Sequence, residues 1–348
     1  MIGKFLEDLI FLKERFEPIY ILKHLDVKRL RNLLNSYIAR RFGFVFFKPL
    51  RPVTVFIEVT RGCNFSCVMC PASEFKISFM SFDTFKRVLD EFQDAVFIYP
   101  YGTGEPFLNP SIYQMLEYAV KRNFITTAFT NLSKINPDML MKTGIRDIFV
   151  SIDSVDPDEF SHIRRNGNLS VFIKNLELLL SARKRYGLSI PKIGFSITLL
   201  DRNTDSVDKI IDFGLSLGIN TFYLQTVFKA GFMNPPVGIP SNSQIEGIRY
   251  LKRKYGRRAK ILLSSHYQYE KGDFFTGYCL FAYTSIFVDV EGKIFTCTCG
   301  ASPSKREQNL GYISDTENAI MRRQEFLESF SKRIPEYCFG CPIYFRDF

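Results

Sequence analysis

The sequence predicts an α/β protein built around an open, partial barrel of six β/α units. Short β-rich runs alternate with helical segments from residue 53 onward, which is typical of parallel βα units. Six units are too few to close an eight-stranded barrel. A basic helical extension precedes the alternation, and a cysteine-containing hairpin follows it. The predicted strands lie at residues 53–59, 95–99, 125–130, 147–152, 192–198 and 221–224.

The N-terminal extension, residues 1–51, is predicted to form a basic amphipathic helix. Apolar residues recur at helical spacing, namely Val27, Leu30, Leu34, Tyr37 and Ile38, and residues 1–51 carry eleven basic against five acidic residues. One interpretation is an extra helix packed on the main domain with a solvated outer face. The other is peripheral docking on a membrane surface.

Two further segments complete the predicted organisation: the partial barrel over residues 52–240, and a linker helix with a small C-terminal module over residues 241–348. Gly231, Pro235 and Pro236 interrupt the alternation and mark a linker or covering loop. Residues 286–290 and 293–297 flank a Glu291-Gly292 turn, which predicts a β-hairpin inside the C-terminal module.

Composition indicates a cytoplasmic metalloprotein. The chain has 348 residues, 46% of them hydrophobic, and a formal charge of +10. It has no signal-peptide pattern and no apolar run near the roughly 20 residues that span a bilayer. The charge alone would fit nucleic acid, anionic lipid or an acidic substrate, and more than half of the excess lies in residues 1–51. No nucleic-acid partner is expected. Eight cysteines in two tight groups are better explained by metal than by disulfides in a reducing compartment.

The first cysteine group is Cys63, Cys67 and Cys70, which follow the first predicted strand within one short loop. A structural zinc site needs four protein ligands, and none of the three histidines of the chain is nearby to complete one. Thiolates select soft metals and iron–sulfur clusters. Three cysteines on a four-iron cluster leave one iron open to an exogenous ligand, which a cluster needs if it is to take part in catalysis.

The spacing Cys63-x-x-x-Cys67-x-x-Cys70 after a strand resembles the defining motif of the radical S-adenosylmethionine (radical SAM) superfamily. One departure is Met69, where the family usually has an aromatic residue; methionine can still pack on an adenine ring. The resemblance implies a TIM-like partial (β/α)6 barrel, a 4Fe-4S cluster on the three cysteines, and S-adenosyl-L-methionine (AdoMet) as its ligand.

The segments after the next strands resemble the AdoMet-binding motifs of the same superfamily. Gly102-Thr103-Gly104-Glu105 looks like the glycine-glutamate motif that receives the AdoMet amino group. The resemblance assigns Asn131, Ser151 and Asp153 to ribose and methionyl contacts. It assigns the carboxylate of AdoMet to Arg165, with Arg164 as an equal alternative.

The second cysteine group resembles the SPASM/twitch extension of the superfamily, in which a hairpin and a terminal Cys-x-x-Cys hold an auxiliary cluster. The resemblance implies a second 4Fe-4S cluster on Cys279, Cys297, Cys338 and Cys341. A four-cysteine zinc ribbon is the structural alternative. Cys299 is left over, either as a bystander or as a hydrogen-atom donor to a substrate radical.

The family implies reductive cleavage of AdoMet to a 5′-deoxyadenosyl radical that abstracts a substrate hydrogen. An auxiliary cluster that accepts an electron would make the net reaction a two-electron oxidation. A structural auxiliary cluster would instead fit an epimerase or a carbon-bond-forming maturase, and a non-catalytic iron–sulfur electron-transfer protein is the competing class. A flavodoxin or ferredoxin is the expected electron donor. The substrate is left open between a small polar molecule, a peptide and a lipid-linked compound.

Overall fold

The computed structural model describes residues 18–42, 45–227, 237–263, 278–297, 309–329 and 344–345. Within these ranges, no helix is both long enough and apolar enough to cross a bilayer. The helices are α1 Pro18–Leu22, α2 Val27–Phe42, α3 Phe82–Glu91, α4 Ile112–Lys121, α5 Pro137–Thr143, α6 Pro157–Ile163, α7 Leu169–Arg185, α8 Val207–Ser216, α9 Asn242–Tyr255, α10 Leu280–Thr284 and α11 Thr316–Ser329.

Most described strands join one ten-stranded sheet in the order β13-β12-β11-β1-β4-β5-β6-β7-β8-β9. The strands are β1 Thr54–Ile57, β2 Thr60–Arg61, β3 Ser78–Phe79, β4 Phe97–Pro100, β5 Ile125–Thr130, β6 Asp147–Ser151, β7 Lys192–Leu199, β8 Thr221–Thr226, β9 Lys260–Leu263, β10 Tyr278–Cys279, β11 Ser285–Val288, β12 Lys293–Phe295, β13 Asn309–Tyr312 and β14 Tyr344–Phe345.

The predicted α/β fold class is confirmed. The six predicted strands are β1 and β4 to β8, and they pair in parallel in chain order. Two strands that were not predicted as part of this sheet extend it in parallel: β9 pairs with β8, and β11 pairs with β1. The sheet therefore continues past residue 240, and the boundaries of the three segments stay a prediction.

The predicted hairpin is present, formed by β11 and β12 in antiparallel register with Phe287 opposite Phe295. Gly292 occupies the turn with φ +82°, a left-handed conformation that favours glycine. Because β11 also pairs with β1, the hairpin is part of the main sheet.

The helices that follow the strands cover one face of the sheet. Ile57, Ile98 and Ile148 point to this face and pack with Phe85 and Leu116 of the helices in one continuous core. Local capping fixes where the helices begin: at the start of α3, the Ser81 side chain accepts a hydrogen bond from the Thr84 amide. The parallel strands are thereby held in register, with their C-terminal ends at one edge.

Helix α2 packs on the domain through its polar side, contrary to what its hydrophobic pattern predicts. Arg29, Asn32 and Ser36 are buried. Val27 and Leu30 are instead 83% and 43% exposed. The N-terminal part of the predicted apolar stripe is therefore exposed, whereas Tyr37 and Ile38 at its other end are half-buried.

The polar side of α2 hydrogen-bonds backbone carbonyls just before the strands begin. Arg29 donates through Nη1 to the Asn123 carbonyl at 2.5 Å and through Nε to the Gln93 carbonyl at 3.1 Å, ahead of β5 and β4. Asn32 Nδ2 donates to the carbonyl of Pro52 at 2.9 Å, ahead of β1.

Further along the helix, Ser36 donates to the Tyr283 carbonyl, ahead of β11. Helix α2 thus crosses the N-terminal ends of β5, β4, β1 and β11 in the order in which the sheet arranges them. Buried backbone carbonyls need donors, and a polar helix face supplies them.

Candidate active site

The cysteine loop lies at the opposite ends of the strands from α2, directly after β1 and the short strand β2. Its backbone is hydrogen-bonded to the segment that ends α6: the Ser66 amide donates to the Arg165 carbonyl and the Val68 amide to the Ile163 carbonyl, both at 3.0 Å. Cys63 and Cys67 are half-buried, and Cys70 is exposed. The loop is therefore held in shape by the chain itself.

Met69 lies on the buried side of this loop. Its side chain packs with Ile163, Leu200 and Val227 in a small apolar cluster. The Met69 side chain thus anchors the cysteine loop to the protein core through apolar contacts.

The glycine-glutamate motif is built directly onto the cysteine loop. The Gly62 amide donates to the Thr103 carbonyl at 2.8 Å, and the Glu105 amide donates to the Gly62 carbonyl at 3.3 Å. A Cβ on Gly104 would lie 2.3 Å from the Thr60 carbonyl oxygen, so only glycine allows this approach. A Cβ on Gly102 would lie 2.6 Å from the Glu58 side chain. Two motifs some forty residues apart in sequence therefore share one backbone junction.

Glu105 and Asn131 connect this junction to the sulfur of Cys63. The Glu105 carboxylate accepts from the Asn131 amide at 2.7 Å and from Thr130 Oγ1 at 2.8 Å. Asn131 Nδ2 in turn donates to Cys63 Sγ at 3.6 Å and to Asn64 Oδ1 at 3.1 Å. Glu105 thus positions Asn131, which points a donor at the first thiol.

Burial controls the protonation of Glu105. It raises the pKa of the carboxyl to about 7, although the Asn131 amide and the Thr130 hydroxyl oppose the rise. The role assigned to Glu105 in binding an AdoMet amino group stays a prediction.

Arg164, not its neighbour Arg165, points toward the cysteines. Arg164 is buried, pairs with the buried Asp153 at 2.7 Å, and has Nη1 4.0 Å from Cys67 Sγ. Arg165 is exposed, and its carbonyl holds the cysteine loop. Of the two arginines kept open by the sequence, the structure brings Arg164 to the site.

The other predicted AdoMet contacts, Ser151 and Asp153, lie at the end of β6 and just after it. Asp153 accepts from the Thr198 amide at 2.7 Å and so ties the end of β6 to β7. Ser151 is half-buried at the end of β6, in register with Ser196 of β7. Both residues lie at the same edge of the sheet as the cysteine loop.

The donor set fits an iron–sulfur cluster. Three thiols share one loop, an amide donor faces Cys63, and a guanidinium faces Cys67. Burial raises the pKa of Cys63 to about 11 and that of Cys67 to about 12, so the thiols must lose protons when a metal binds. In the described part of the chain, no three His, Cys, Asp or Glu side chains are placed to hold a single metal ion. A four-iron cluster instead takes one thiolate per iron, which spreads the sulfurs apart.

A buried ion-pair network, not foreseen from the sequence, joins the site to the hairpin. Arg61 pairs with Glu58 at 2.9 Å and with Asp289 at 3.1 Å. Glu58 also accepts from the Thr103 amide at 3.0 Å. Asp289, at the end of β11, caps the hairpin turn by accepting from the Glu291 amide. The hairpin, the cysteine loop and the glycine motif are therefore mechanically linked.

The predicted ligands of the second cluster fall only partly within the described residues. The backbone of Cys279 lies in β10, opposite Tyr344 of β14, and Cys297 follows β12 as a half-buried thiol. Cys299, Cys338 and Cys341 lie outside the described residues.

Sequence reasoning missed Glu58, Arg61, Asn64 and Asp289. A polar residue at the end of an apolar run, as with Glu58 after β1 and Asp289 after β11, was the available signal. It does not reveal which residues meet.

Residues 57–214 match the model of the Radical SAM superfamily. A tungsten-containing aldehyde ferredoxin oxidoreductase cofactor-modifying protein of Pyrococcus furiosus is 24% identical over 183 residues, which cover 50% of this chain and 51% of that protein. The mycofactocin maturase MftC of Mycobacterium tuberculosis is 27% identical over 164 residues, 45% of this chain and 40% of MftC. The alignments thus span about half or less of these relatives.

Two solved structures share the fold. SuiB of Streptococcus suis, bound to the precursor peptide SuiA, superposes with a TM-score of 0.67 at 14% identity, covering 85% of this chain and 75% of SuiB. The protein anSMEcpe, with bound AdoMet and a Cp18Cys peptide, gives a TM-score of 0.59 at 15% identity, covering 83% of this chain and 86% of that protein. The match to the Radical SAM model therefore covers the part of the chain that holds the cysteine loop, and the two solved structures show the fold of the parallel sheet.

Proposed function

We propose that this chain is a radical SAM enzyme whose catalytic cluster is held by Cys63, Cys67 and Cys70. The observation that carries the proposal is the backbone junction between Gly62 and Gly104, which joins the cysteine loop to the glycine motif. When bound, the cluster supplies the electron that cleaves AdoMet to methionine and a 5′-deoxyadenosyl radical, which abstracts a hydrogen atom from the substrate.

The residues around the loop have separate tasks in this proposal. Asn131 donates to the sulfur of Cys63, and hydrogen bonds to sulfur help to set a cluster potential. Arg164 places its guanidinium beside Cys67, where it offsets the negative charge of thiolates. The polar side chains of Asn131 and Ser151 line the edge at which AdoMet would lie.

On the face of the sheet opposite the outer helices, the half-buried rings of Phe56, Phe129 and Tyr223 are the candidate surface for the substrate, whereas Tyr99 and Phe149 are buried. Phe56 stacks on Tyr99 and Phe129 stacks on Phe149, each pair with ring centroids 5.2 Å apart. Tyr223 contacts Phe129 at 5.9 Å and is half-buried. Aromatic rings of this kind bind apolar or aromatic groups.

A peptide is the substrate class that we propose. The support is that SuiB and anSMEcpe, which share this fold, have been solved with peptides bound, and that MftC is named a maturase. A small polar molecule or a lipid-linked compound is the alternative. The proposed reaction is a net two-electron oxidation of the substrate, with epimerisation or carbon-bond formation as the second candidate.

The second cluster is part of this proposal. Strand β10 pairs with β14, which places the backbone of Cys279 opposite Tyr344, three residues after Cys341 in the sequence. This pairing supports a shared centre on Cys279, Cys297, Cys338 and Cys341. An oxidation needs such a centre to take up the electron of the substrate radical, and a flavodoxin or ferredoxin would supply electrons to the first cluster.

A glycine-to-alanine substitution distinguishes the proposed enzyme from a non-catalytic iron–sulfur protein. Gly104→Ala forces a Cβ against the Thr60 carbonyl and separates the motif from the loop. We expect it to retain iron but to lose AdoMet binding, measured by equilibrium dialysis, and formation of 5′-deoxyadenosine. Gly247→Ala on α9 is the control, because a Cβ there meets nothing within 4 Å. If wild-type protein binds no AdoMet, or both variants behave alike, the proposal is wrong.

A further inference from the structure

The outward side of α1 and α2 is apolar and basic. Its apolar members are exposed: Ile19 by 71%, Leu22 by 64%, Val27 by 83%, Leu30 by 43% and Leu34 by 37%. Three basic side chains are also exposed: Lys28 and Arg31 on α2, and Lys23 directly after α1. We refer to these eight residues as the N-terminal face.

The orientation of this face is fixed by the structure. Arg29 donates to four backbone carbonyls outside its own helix, and Asn32 to two, so α2 cannot turn Val27, Leu30 and Leu34 inward without breaking these hydrogen bonds. Each buried carbonyl left without a donor is costly. Exposure of Val27, Leu30 and Leu34 is thus a consequence of the polar packing on the other side.

Two exposed aromatic residues extend the face at the C-terminal side of α2. Asn35 holds the backbone of Phe46 and Phe47 through three hydrogen bonds. The rings are 59% and 48% exposed, and the Arg31 guanidinium lies 5.6 Å from the Phe47 ring centroid. Aromatic and arginine side chains together are typical of an interface between apolar and aqueous phases.

The charge of the N-terminal face indicates what binds to it. Among the described residues up to position 51, the single carboxylate is Asp26, and it accepts from the Arg29 amide within the helix. Asp26 is exposed, but it is outnumbered by Lys23, Lys28 and Arg31, and a surface that is apolar, aromatic and predominantly basic is complementary to a bilayer with anionic headgroups. A peptide or protein partner would need a long acidic and apolar surface to match it equally well.

We propose that the N-terminal face docks the protein on an anionic lipid surface. Because α2 crosses the N-terminal ends of β5, β4, β1 and β11, docking turns the C-terminal ends of the strands away from the lipid. The cysteine loop then faces the aqueous side, where AdoMet and a water-soluble substrate can reach it. The inference does not depend on the proposed radical chemistry.

Vesicle co-sedimentation tests the proposal with the full chain. We expect binding to vesicles of phosphatidylcholine mixed with phosphatidylglycerol, weaker binding at high salt, and little binding to phosphatidylcholine alone. Lys23→Gln with Lys28→Gln should lower the affinity on the order of twentyfold, since each basic residue near an anionic surface contributes about fivefold. Leu30→Ser with Leu34→Ser should lower it at least tenfold or so, through lost apolar burial.

A matched control separates the face from general surface hydrophobicity. Val171 and Leu178 on α7 are 53% and 52% exposed, and Val171→Ser with Leu178→Ser should leave vesicle binding unchanged. The melting temperature should fall by a similar small amount in the Leu30/Leu34 variant and in the control, because both place two serines at half-exposed apolar positions of a helix. The proposal is overturned if wild-type protein ignores anionic vesicles or if the control loses as much binding as the Leu30/Leu34 variant.

Two other occupants give distinct results, and each would overturn the proposal. If residues 1–17 cover the face, the Leu30/Leu34 variant will melt at a clearly lower temperature than the Val171/Leu178 control, and wild-type protein will not bind vesicles. If a second copy covers it, sedimentation will find a wild-type dimer that the same variant dissociates.

Discussion

The link between the hairpin and the cysteine loop can be measured by replacing Asp289 with asparagine. The Asp289 side chain is 4% exposed and lies 3.1 Å from Arg61 Nη2. Asparagine retains an acceptor for the Glu291 and Lys293 amides, so the hairpin turn keeps its cap. The substitution removes a negative charge and turns the Nδ2 donor toward Arg61 Nη2, so it breaks the hydrogen bond from Arg61 while the turn keeps its acceptor.

The structure sets the size of the effect. Hydrogen bonds to charged groups contribute about 1.5–3 kcal/mol each, and Arg61 keeps its second partner, Glu58. We expect Asp289→Asn to lower the free energy of unfolding by about 2 kcal/mol in urea denaturation. Combined with Arg61→Met, it should show a coupling of about 1–3 kcal/mol, as contacting residues do. The AdoMet affinity should fall as well, because Arg61 and Thr103 share Glu58.

The same substitution on the surface is the control. Asp90 pairs with Arg122 at 2.5 Å, but its side chain is 50% exposed, and such pairs contribute about 1 kcal/mol at most. If Asp289→Asn costs no more than Asp90→Asn and shows no coupling to Arg61, the hairpin does not hold the loop.

Two further substitutions test adjacent or nearby residues that the sequence could not separate. Arg164→Leu leaves Asp153 as a buried, uncompensated charge and should cost about 3–5 kcal/mol in urea denaturation, whereas Arg165→Leu should be close to wild type; equal losses would refute the assignment of Arg164 to the site. Cys297→Ala should lose the auxiliary cluster and most turnover while Cys299→Ala keeps both clusters, which iron counts and electron paramagnetic resonance decide. If only Cys299→Ala loses the cluster, that ligand set is wrong. If Cys299→Ala keeps both clusters and AdoMet cleavage but forms no product, Cys299 is the hydrogen donor.

The order of the parallel strands was predictable because it depends on local pattern. Strands β5, β6 and β7 begin at the predicted residues, since each apolar run is bounded by helical segments with clear capping residues. Strands β9 and β11 are regular strands too, yet their membership of the main sheet depends on pairing across the chain. No local signal in Lys260–Leu263 indicates that it lies beside β8.

The orientation of α2 was not predictable from its hydrophobic pattern. Periodicity assigns the inward side to Val27, Leu30 and Leu34, because apolar burial usually dominates packing. Here the helix faces the ends of strands, where backbone carbonyls require donors, and Arg29 and Asn32 satisfy them. The groups that a helix packs against decide which of its sides is buried, and these groups cannot be identified from the sequence of the helix alone.

The parts of the site that depend on the spacing of residues along the sequence were predictable. The parts that depend on contacts between side chains in space were not. The three cysteines and the Gly102–Glu105 segment were found from order along the chain. Arg164 and Arg165 are adjacent and chemically identical, so only the end of α6 decides which one enters the site. The Arg61–Asp289 pair joins residues separated by 228 positions, which one sequence cannot reveal.

The most direct test of the account is the formation of 5′-deoxyadenosine by anaerobically reconstituted, reduced protein. Two four-iron clusters predict about eight irons per chain in wild-type protein. We expect that protein to cleave AdoMet, and we expect a variant with Cys63, Cys67 and Cys70 all changed to alanine to keep about four irons and form no 5′-deoxyadenosine. If the triple variant still produces 5′-deoxyadenosine after reduction, the cysteine loop does not hold the catalytic cluster.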